Sequence, residues 1–305
     1  MEYRLISYEE IDQLKWNRLV KSSNQFESQY AAYWYISSVS KSWSAFVLGD
    51  YVAAFPFAHQ KKASFDVVFQ PFFTRSFPFL GKSNHDFIEY VFSYFKKHFK
   101  QLDINLLNKL DISFLKEERR VFQQLSLNHD YNVIQKSFSK NSLRILKKNQ
   151  HLKIEKSSDL DSFISLFKET VGERLKYKRR NYYSLLLLIE EGINNDCMEL
   201  YVVKSSTEVL AYGVFYEHNN IINFIKGAVT NKGKKEGAMY VLMNHFIKKY
   251  STSEKTLDFG GSNVQNVSNF YKKFGAKDIT YHNYSFNSLP LVIKKLKNIR
   301  TNLLK

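Results

Sequence analysis

The chain has 305 residues, 44% of them hydrophobic and 16% aromatic, and carries a formal charge of +16. That length supports about two domains of roughly 150 residues with buried cores, and four Pro and eleven Gly exclude a fibrous or low-complexity chain. No apolar run approaches the ~18 residues that span a bilayer.

In the first half the spacing predicts a strand over Tyr3 to Ile6 and helices over Tyr8 to Val20 and Gln29 to Val39. Strands over Ala45 to Leu48, Val52 to Ala58 and Phe65 to Phe72 follow, then a helix over Asp86 to Phe99 and a strand over Leu102 to Leu107. The second half opens on a basic helix, Asn141 to Gln150, and a strand, Leu152 to Glu155. Asp159 is the N-cap of a helix bearing Phe163, Leu166 and Phe167 on one face. A second helix, Tyr182 to Glu191, ends at Gly192. Strands over Glu199 to Val203, Val209 to Tyr216 and Ile221 to Val229 come next, the last two a hairpin turning at His218-Asn219-Asn220. A Gly/Lys loop, Lys232 to Gly237, leads into a helix, Ala238 to Tyr250; a strand (Thr256 to Phe259), a helix (Val264 to Phe274) and a strand (Asp278 to Phe286) close the series.

The first half repeats the opening of this order, as a duplicated unit does. The expected fold is α/β (α+β), with two tandem domains, residues 1–135 and 136–305, each a mixed, mostly antiparallel sheet flanked by helices. The single cysteine, Cys197, excludes an internal disulfide and a multi-cysteine zinc site, and fits a reducing cytoplasm. The opening Met1-Glu2-Tyr3-Arg4 lacks the basic-then-apolar pattern of a secretory leader. The positive charge favours an anionic partner: a nucleotide, a nucleic acid or a membrane surface.

Leu257 to Ala276 reads LDFGGSNVQNVSNFYKKFGA. Tyr271, Lys273 and Gly275 match the Y-x-K-x-G helix of GNAT acetyltransferases, where a strand and an Asn-containing loop precede the helix. The segment also resembles the two-domain, Fem-type GNAT-like transferases, matching at Asp258, Phe259, Gly260, Gly261, Phe270, Phe274 and Gly275; FSKNSLRILKKN at Phe138 to Asn149 is similar to the helix opening their second domain. The resemblance implies an acyltransferase whose first domain is degenerate and faces the acceptor, and whose second binds the donor and carries the chemistry. It implies acyl-CoA as co-substrate and no metal. In the Fem pattern a lysine follows the first phenylalanine. Tyr271 stands there here, which moves the reading from aminoacyl-tRNA towards a thioester donor.

The GNAT phosphate loop, R/Q-x-x-G-x-G/A, is matched at Lys234 and Gly237; Met239 stands in the last glycine position, beside the small Ala238, and Lys234, Gly237 and Ala238 are the donor-binding candidates here. Glycine admits an anion close to the backbone, and the following helix presents free N–H groups to a pyrophosphate. Asn263, in the Asn-containing loop, is the fourth donor-binding candidate. A tyrosine keeps its proton at neutral pH and can give it to a leaving thiolate; Tyr271 is the candidate acid, against a role in packing alone. Asp258 is a catalytic candidate or the cap of the glycine turn, while Glu217 and His218 are further candidate bases. Lys226 interrupts the apolar strand IINFIKGAV, so its charge must reach water or a partner; it is assigned to the acceptor pocket, the alternative being a solvent-facing lysine. Gln70 and Arg75, in FQPFFTRSFPFLG, are assigned to an acceptor-binding wall, the alternative being a loop that covers the core.

These readings converge on N-acyl transfer from an acyl-CoA-type thioester to a small-molecule or peptide-like amine. The alternatives are a Fem-like aminoacyltransferase, using aminoacyl-tRNA and a cell-wall precursor, and a catalytically silent binding module. The end of the chain, LPLVIKKLKNIRTNLLK, has Val292, Leu296, Ile299 and Leu303 on one helical stripe among cations. A basic amphipathic helix suits contact with an anionic membrane, and docking on the protein is the alternative.

Overall fold

The structure, a computed structural model, describes residues 2–23, 27–62, 64–206, 208–260 and 264–290. Asn263, Gly261 and the amphipathic segment from residue 291 lie outside the described residues. Two compact units are present. The first runs through Arg119 and takes up the chain again from Tyr281; the second is Arg120–Thr280.

Unit 1 begins with β1 (Tyr3–Ser7), α1 (Gln13–Ser22), α2 (Tyr33–Val39), β2 (Trp43–Leu48) and β3 (Ala53–Lys62). It continues with β4 (Phe65–Phe69), the short β5 (Leu80–Gly81), α3 (His85–His98) and β6 (Gln101–Leu106). The chain then passes along β7 (Lys116–Ser126) into α4 (Tyr131–Gln135), α5 (Lys140–Lys148), β8 (Lys153–Ser157) and α6 (Leu160–Phe167). A π-turn (Lys168–Gly172) extends α6 and precedes α7 (Arg179–Asn194). There follow β9 (Met198–Lys204), β10 (Val209–His218), β11 (Ile221–Val229), α8 (Asn231–Lys235) and α9 (Ala238–Tyr250). β12 (Thr256–Asp258), α10 (Gln265–Lys272) and β13 (Lys277–Asn287) complete the described chain.

The units share one strand plan. In unit 1, β1 to β4 pair antiparallel in chain order, β4 then pairs parallel with β6, and β6 antiparallel with β13. In unit 2, β8 to β11 pair antiparallel in chain order, β11 pairs parallel with β12, and β12 antiparallel with β7. The parallel steps have matching registers: Val68 and Phe69 face Leu102 and Asp103, as Ile222 and Asn223 face Leu257 and Asp258. A parallel step needs a crossover, supplied by α3 in one unit and α9 in the other. The fold is the expected mixed, mostly antiparallel sheet with flanking helices, present twice.

Each sheet buries its apolar residues under helices. In unit 2, Tyr201, Phe215, Ile222, Phe224 and Leu257 pack against Ala238, Leu242, Met243 and Phe246 of α9. Phe215 and Phe246 stack with ring centroids 3.5 Å apart. In unit 1, Phe46, Phe55 and Phe57 are fully buried and meet Phe92 and Phe95 of α3. Gly192 does not stop a helix. It lies inside α7, where its missing side chain admits Met198.

Candidate active site

The site begins with two parallel strands that part company. β11 pairs with β12 only through Asn223 and Asp258, then runs on through Phe224–Val229 while the other strand turns at Gly260. The diverging carboxyl ends of parallel strands leave a crevice, the usual ligand position in open α/β sheets. A register shift against β10 between Val214 and Phe215 bends β11 at this point. Gly260 has φ +80, and a β-carbon there would stand 2.6 Å from the Phe224 carbonyl oxygen, so the turn requires glycine. Unit 1 lacks this opening: β4 ends at the paired residue, Phe69, and the next residue, Gln70, accepts the N–H of Asn105 at 3.0 Å.

Asp258 ends β12 fully buried. Its carboxylate accepts the Gly260 N–H at 2.8 Å and the Gln124 amide at 3.4 Å, so it caps the glycine turn. Tyr271, on α10, is buried and stacked on Phe259, with centroids 4.7 Å apart. Burial first, and the Asp258 charge second, raise the Tyr271 pKa well above the usual phenol value. The hydroxyl therefore stays protonated through the physiological range, a hydrogen-bond and proton donor beside a carboxylate.

The segment read as a phosphate loop is more ordered than a loop. Thr230 caps α8, its hydroxyl accepting the Gly233 N–H at 2.9 Å. The amides of Lys234, Glu236 and Gly237 donate to the carbonyls of Thr230, Lys232 and Lys234. Among the described residues, the amides of Ala238 and Met239, at the start of α9, make no hydrogen bond. Gly237 has φ +67, and a β-carbon on it would overlap the side chain of Ile145 on α5. Lys234 is exposed and reaches the Asn231 side chain at 3.4 Å.

Lys226 lies on the part of β11 beyond its pairing with β12, half-buried, and burial lowers its pKa. Gln70 also donates to the Thr74 carbonyl at 3.2 Å, bracing its own loop. Arg75 is buried, forms an ion pair with Glu27, and lies 5.7 Å from the Tyr30 ring centroid. Both residues belong to unit 1; the other described candidates belong to unit 2. Glu217 and His218 sit at the hairpin, the opposite end of β11 from the crevice, and Glu217 is engaged by Lys255 and by the Tyr250 hydroxyl. Cys197 donates to the Gly192 carbonyl, and burial pushes its thiol up to about 12, so it is no nucleophile at neutral pH. A cavity of about 490 Å³, lined among others by Tyr131, Lys147, Asn244 and Lys248, runs along the flank of α9 and is not the crevice.

Three contributors carry no recognisable sequence signal of their own: Gln124, Ile145 and Ser137. Each acts by long-range proximity. Gly275 has φ +83, and a β-carbon there would overlap Ser137. The Ser139 N–H and the Ser142 hydroxyl both donate to the Lys273 carbonyl, at 2.8 and 3.2 Å. The end of α10 thus fixes the start of α5, which is why the Phe-Gly ending and the upstream basic helix occur together.

No family model matches the chain, and no curated protein matches it. Solved structures do. The crystal structure of FemX aligns over 92% of this chain and 97% of its own, with TM-score 0.65 and 12% identity. The tandem GNAT protein from the clavulanic acid biosynthesis pathway aligns over 95% and 99%, with TM-score 0.55 and 9% identity. L-PGS from Bacillus licheniformis aligns over 96% of each chain, with TM-score 0.54 and 12% identity. The strand plan repeated in both units and these alignments over nearly whole chains give the same answer: the protein has the GNAT-superfamily fold in its Fem-like tandem form.

Proposed function

We propose that the protein is an N-acyltransferase whose donor-binding and catalytic machinery lies in unit 2, unit 1 being the degenerate, acceptor-side copy. The observation that carries this is the buried residue Tyr271, stacked on Phe259 and under the charge of Asp258, the residue at which β12 ends its pairing with β11. A free amine attacks the acyl carbonyl carbon, the new C–N bond forms, and the bond to the leaving group breaks. The amine sheds one proton to solvent. The leaving group takes a proton from Tyr271, which solvent restores. Asp258 acts through Tyr271 and the turn, and Lys226 borders the acceptor.

Two donors compete. An acyl-CoA-type thioester would set its pyrophosphate against the Ala238 and Met239 amides, with Lys234 adding charge. An aminoacyl ester on tRNA is favoured by two observations. Most amides of the Lys232 to Gly237 segment are already spent within the protein, and Ile145 lies over Gly237, which leaves little cradle for a pyrophosphate. The raised Tyr271 pKa also matches a leaving alkoxide better than a thiolate, whose pKa is about 8.5. The geometry thus favours the ester donor, while the departure from the Fem pattern at Tyr271 favours the thioester. Calorimetry with coenzyme A, beside transfer assays with charged tRNA, separates the two. Micromolar coenzyme A binding with thiol release upholds the thioester. Transfer from tRNA with no coenzyme A binding upholds the ester.

A further inference from the structure

The turn between the π-turn and α7 carries Arg174, Lys176 and Lys178, and α7 opens with Arg179 and Arg180, all exposed. Glu173 precedes them, and no further acidic residue occurs until Glu190. Among the described residues, Arg174, Lys178, Arg179 and Arg180 form no ion pair. Two large apolar side chains stand out of the protein in the same stretch: Leu175 is 46% exposed and Tyr183 60%.

Neither feature serves the fold. Lys178 is the N-cap of α7, Arg179 and Arg180 open it, and its first turn has no acidic residue. Cations at the positive end of a helix oppose its dipole. A local rule broken without gain to the fold marks a surface kept for something else. The scaffold beneath is firmly built. Tyr177 and Tyr182 pack on Phe167, Gly172 leaves room for the Tyr182 ring, and Asn181 accepts the Lys178 N–H at 2.9 Å. The Leu175 N–H donates to the Val171 carbonyl and the Tyr177 N–H to that of Gly172. Lys176 takes a left-handed conformation at φ +52, closing the turn.

We infer that residues 174–183 dock the protein on an anionic lipid bilayer. Phosphate headgroups would meet the cations, and Leu175 and Tyr183 would enter the interface between headgroup and acyl chain. A nucleic-acid backbone would satisfy the cations equally well but offers nothing to an exposed leucine, and this selects the bilayer. The π-turn that leads into this surface packs on β11, the strand bearing Lys226. The docking is independent of the donor and of the chemistry in the crevice.

The test is co-sedimentation of the full chain with phosphatidylcholine vesicles in which about a third of the lipid is phosphatidylglycerol. Two variants are compared with the native chain: Arg174→Gln/Arg179→Gln/Arg180→Gln and Leu175→Ser/Tyr183→Ser. All five side chains are exposed, and a thermal melt checks that each variant is folded. The charge variant should bind vesicles roughly a hundredfold more weakly. The apolar variant should bind roughly tenfold more weakly and keep its affinity for a bulk tRNA mixture. Native binding that persists in both variants would assign vesicle binding elsewhere in the chain and overturn the inference. So would absence of vesicle binding beside salt-sensitive tRNA binding lost in the charge variant, which would make this a nucleic-acid surface.

Discussion

The ring of Tyr271 stacks on that of Phe259, centroids 4.7 Å apart, and Phe259 follows directly on the capping residue Asp258. The stack holds the phenol whatever its hydroxyl does, so removing the oxygen tests chemistry rather than packing. Tyr271→Phe should fold and melt like the native protein and lose about 10²–10⁴ in kcat with little change in donor affinity. A variant with native turnover would leave Tyr271 as a core residue only.

The pH profile supplies an independent check. Burial and the Asp258 charge both raise the Tyr271 pKa, so its proton is retained as the pH climbs. Activity that needs this proton should hold beyond pH ~10, the free-phenol value, and fall only above it. Asp258→Asn removes the negative neighbour and should move that alkaline limb to lower pH. An alkaline limb unmoved in Asp258→Asn would detach the carboxylate from the tyrosine.

At Gly237 two constraints coincide, a left-handed backbone and the Ile145 side chain. Gly237→Ala should therefore cost about 1–3 kcal/mol in denaturant melts. Combining it with Ile145→Ala should give less destabilisation than the two single costs added together, because the overlap vanishes while the backbone strain stays. Strict additivity would mean that α5 does not press on this turn. Any loss of donor binding in Gly237 variants must be read against this stability change.

Arg75 and Glu27 form a buried pair in unit 1. Breaking such a pair leaves a charge uncompensated and costs about 3–5 kcal/mol. Arg75→Leu should show that loss in its melting transition, and Arg75→Leu/Glu27→Leu should recover much of it. A stable Arg75→Leu protein with a raised KM for the acceptor would instead make Arg75 a substrate contact.

Strands with aromatic or β-branched runs were legible because their period reports burial directly. β3 and β11 are of this kind, as is the helix α9, which spans the expected residues. β7 was not legible, since KEERR at its start is a charged, exposed run with no alternation. The break at Ala32, which divides one expected helix into a short 3-10 turn and α2, has no proline or glycine to announce it. No local pattern says which sheet a strand joins, so the pairings of β7 with β12 and of β13 with β6 were beyond reach. At the site, the Asp-Phe-Gly-Gly and Phe-Gly motifs pointed to real backbone constraints at Gly260 and Gly275. The Gly/Lys segment misled in one respect: Thr230 turns it into the short helix α8, a capping role that composition alone did not reveal.

The most direct test is a transfer assay. Native protein and Tyr271→Phe are each given a labelled acyl donor, first acyl-CoA and then aminoacyl-tRNA, with an amine-bearing peptide acceptor, and amide product is counted. The account predicts acceptor-dependent product from one of the two donors, reduced at least about a hundredfold in Tyr271→Phe. Product formed equally by both proteins, or no amide from either donor with any amine offered, would contradict it.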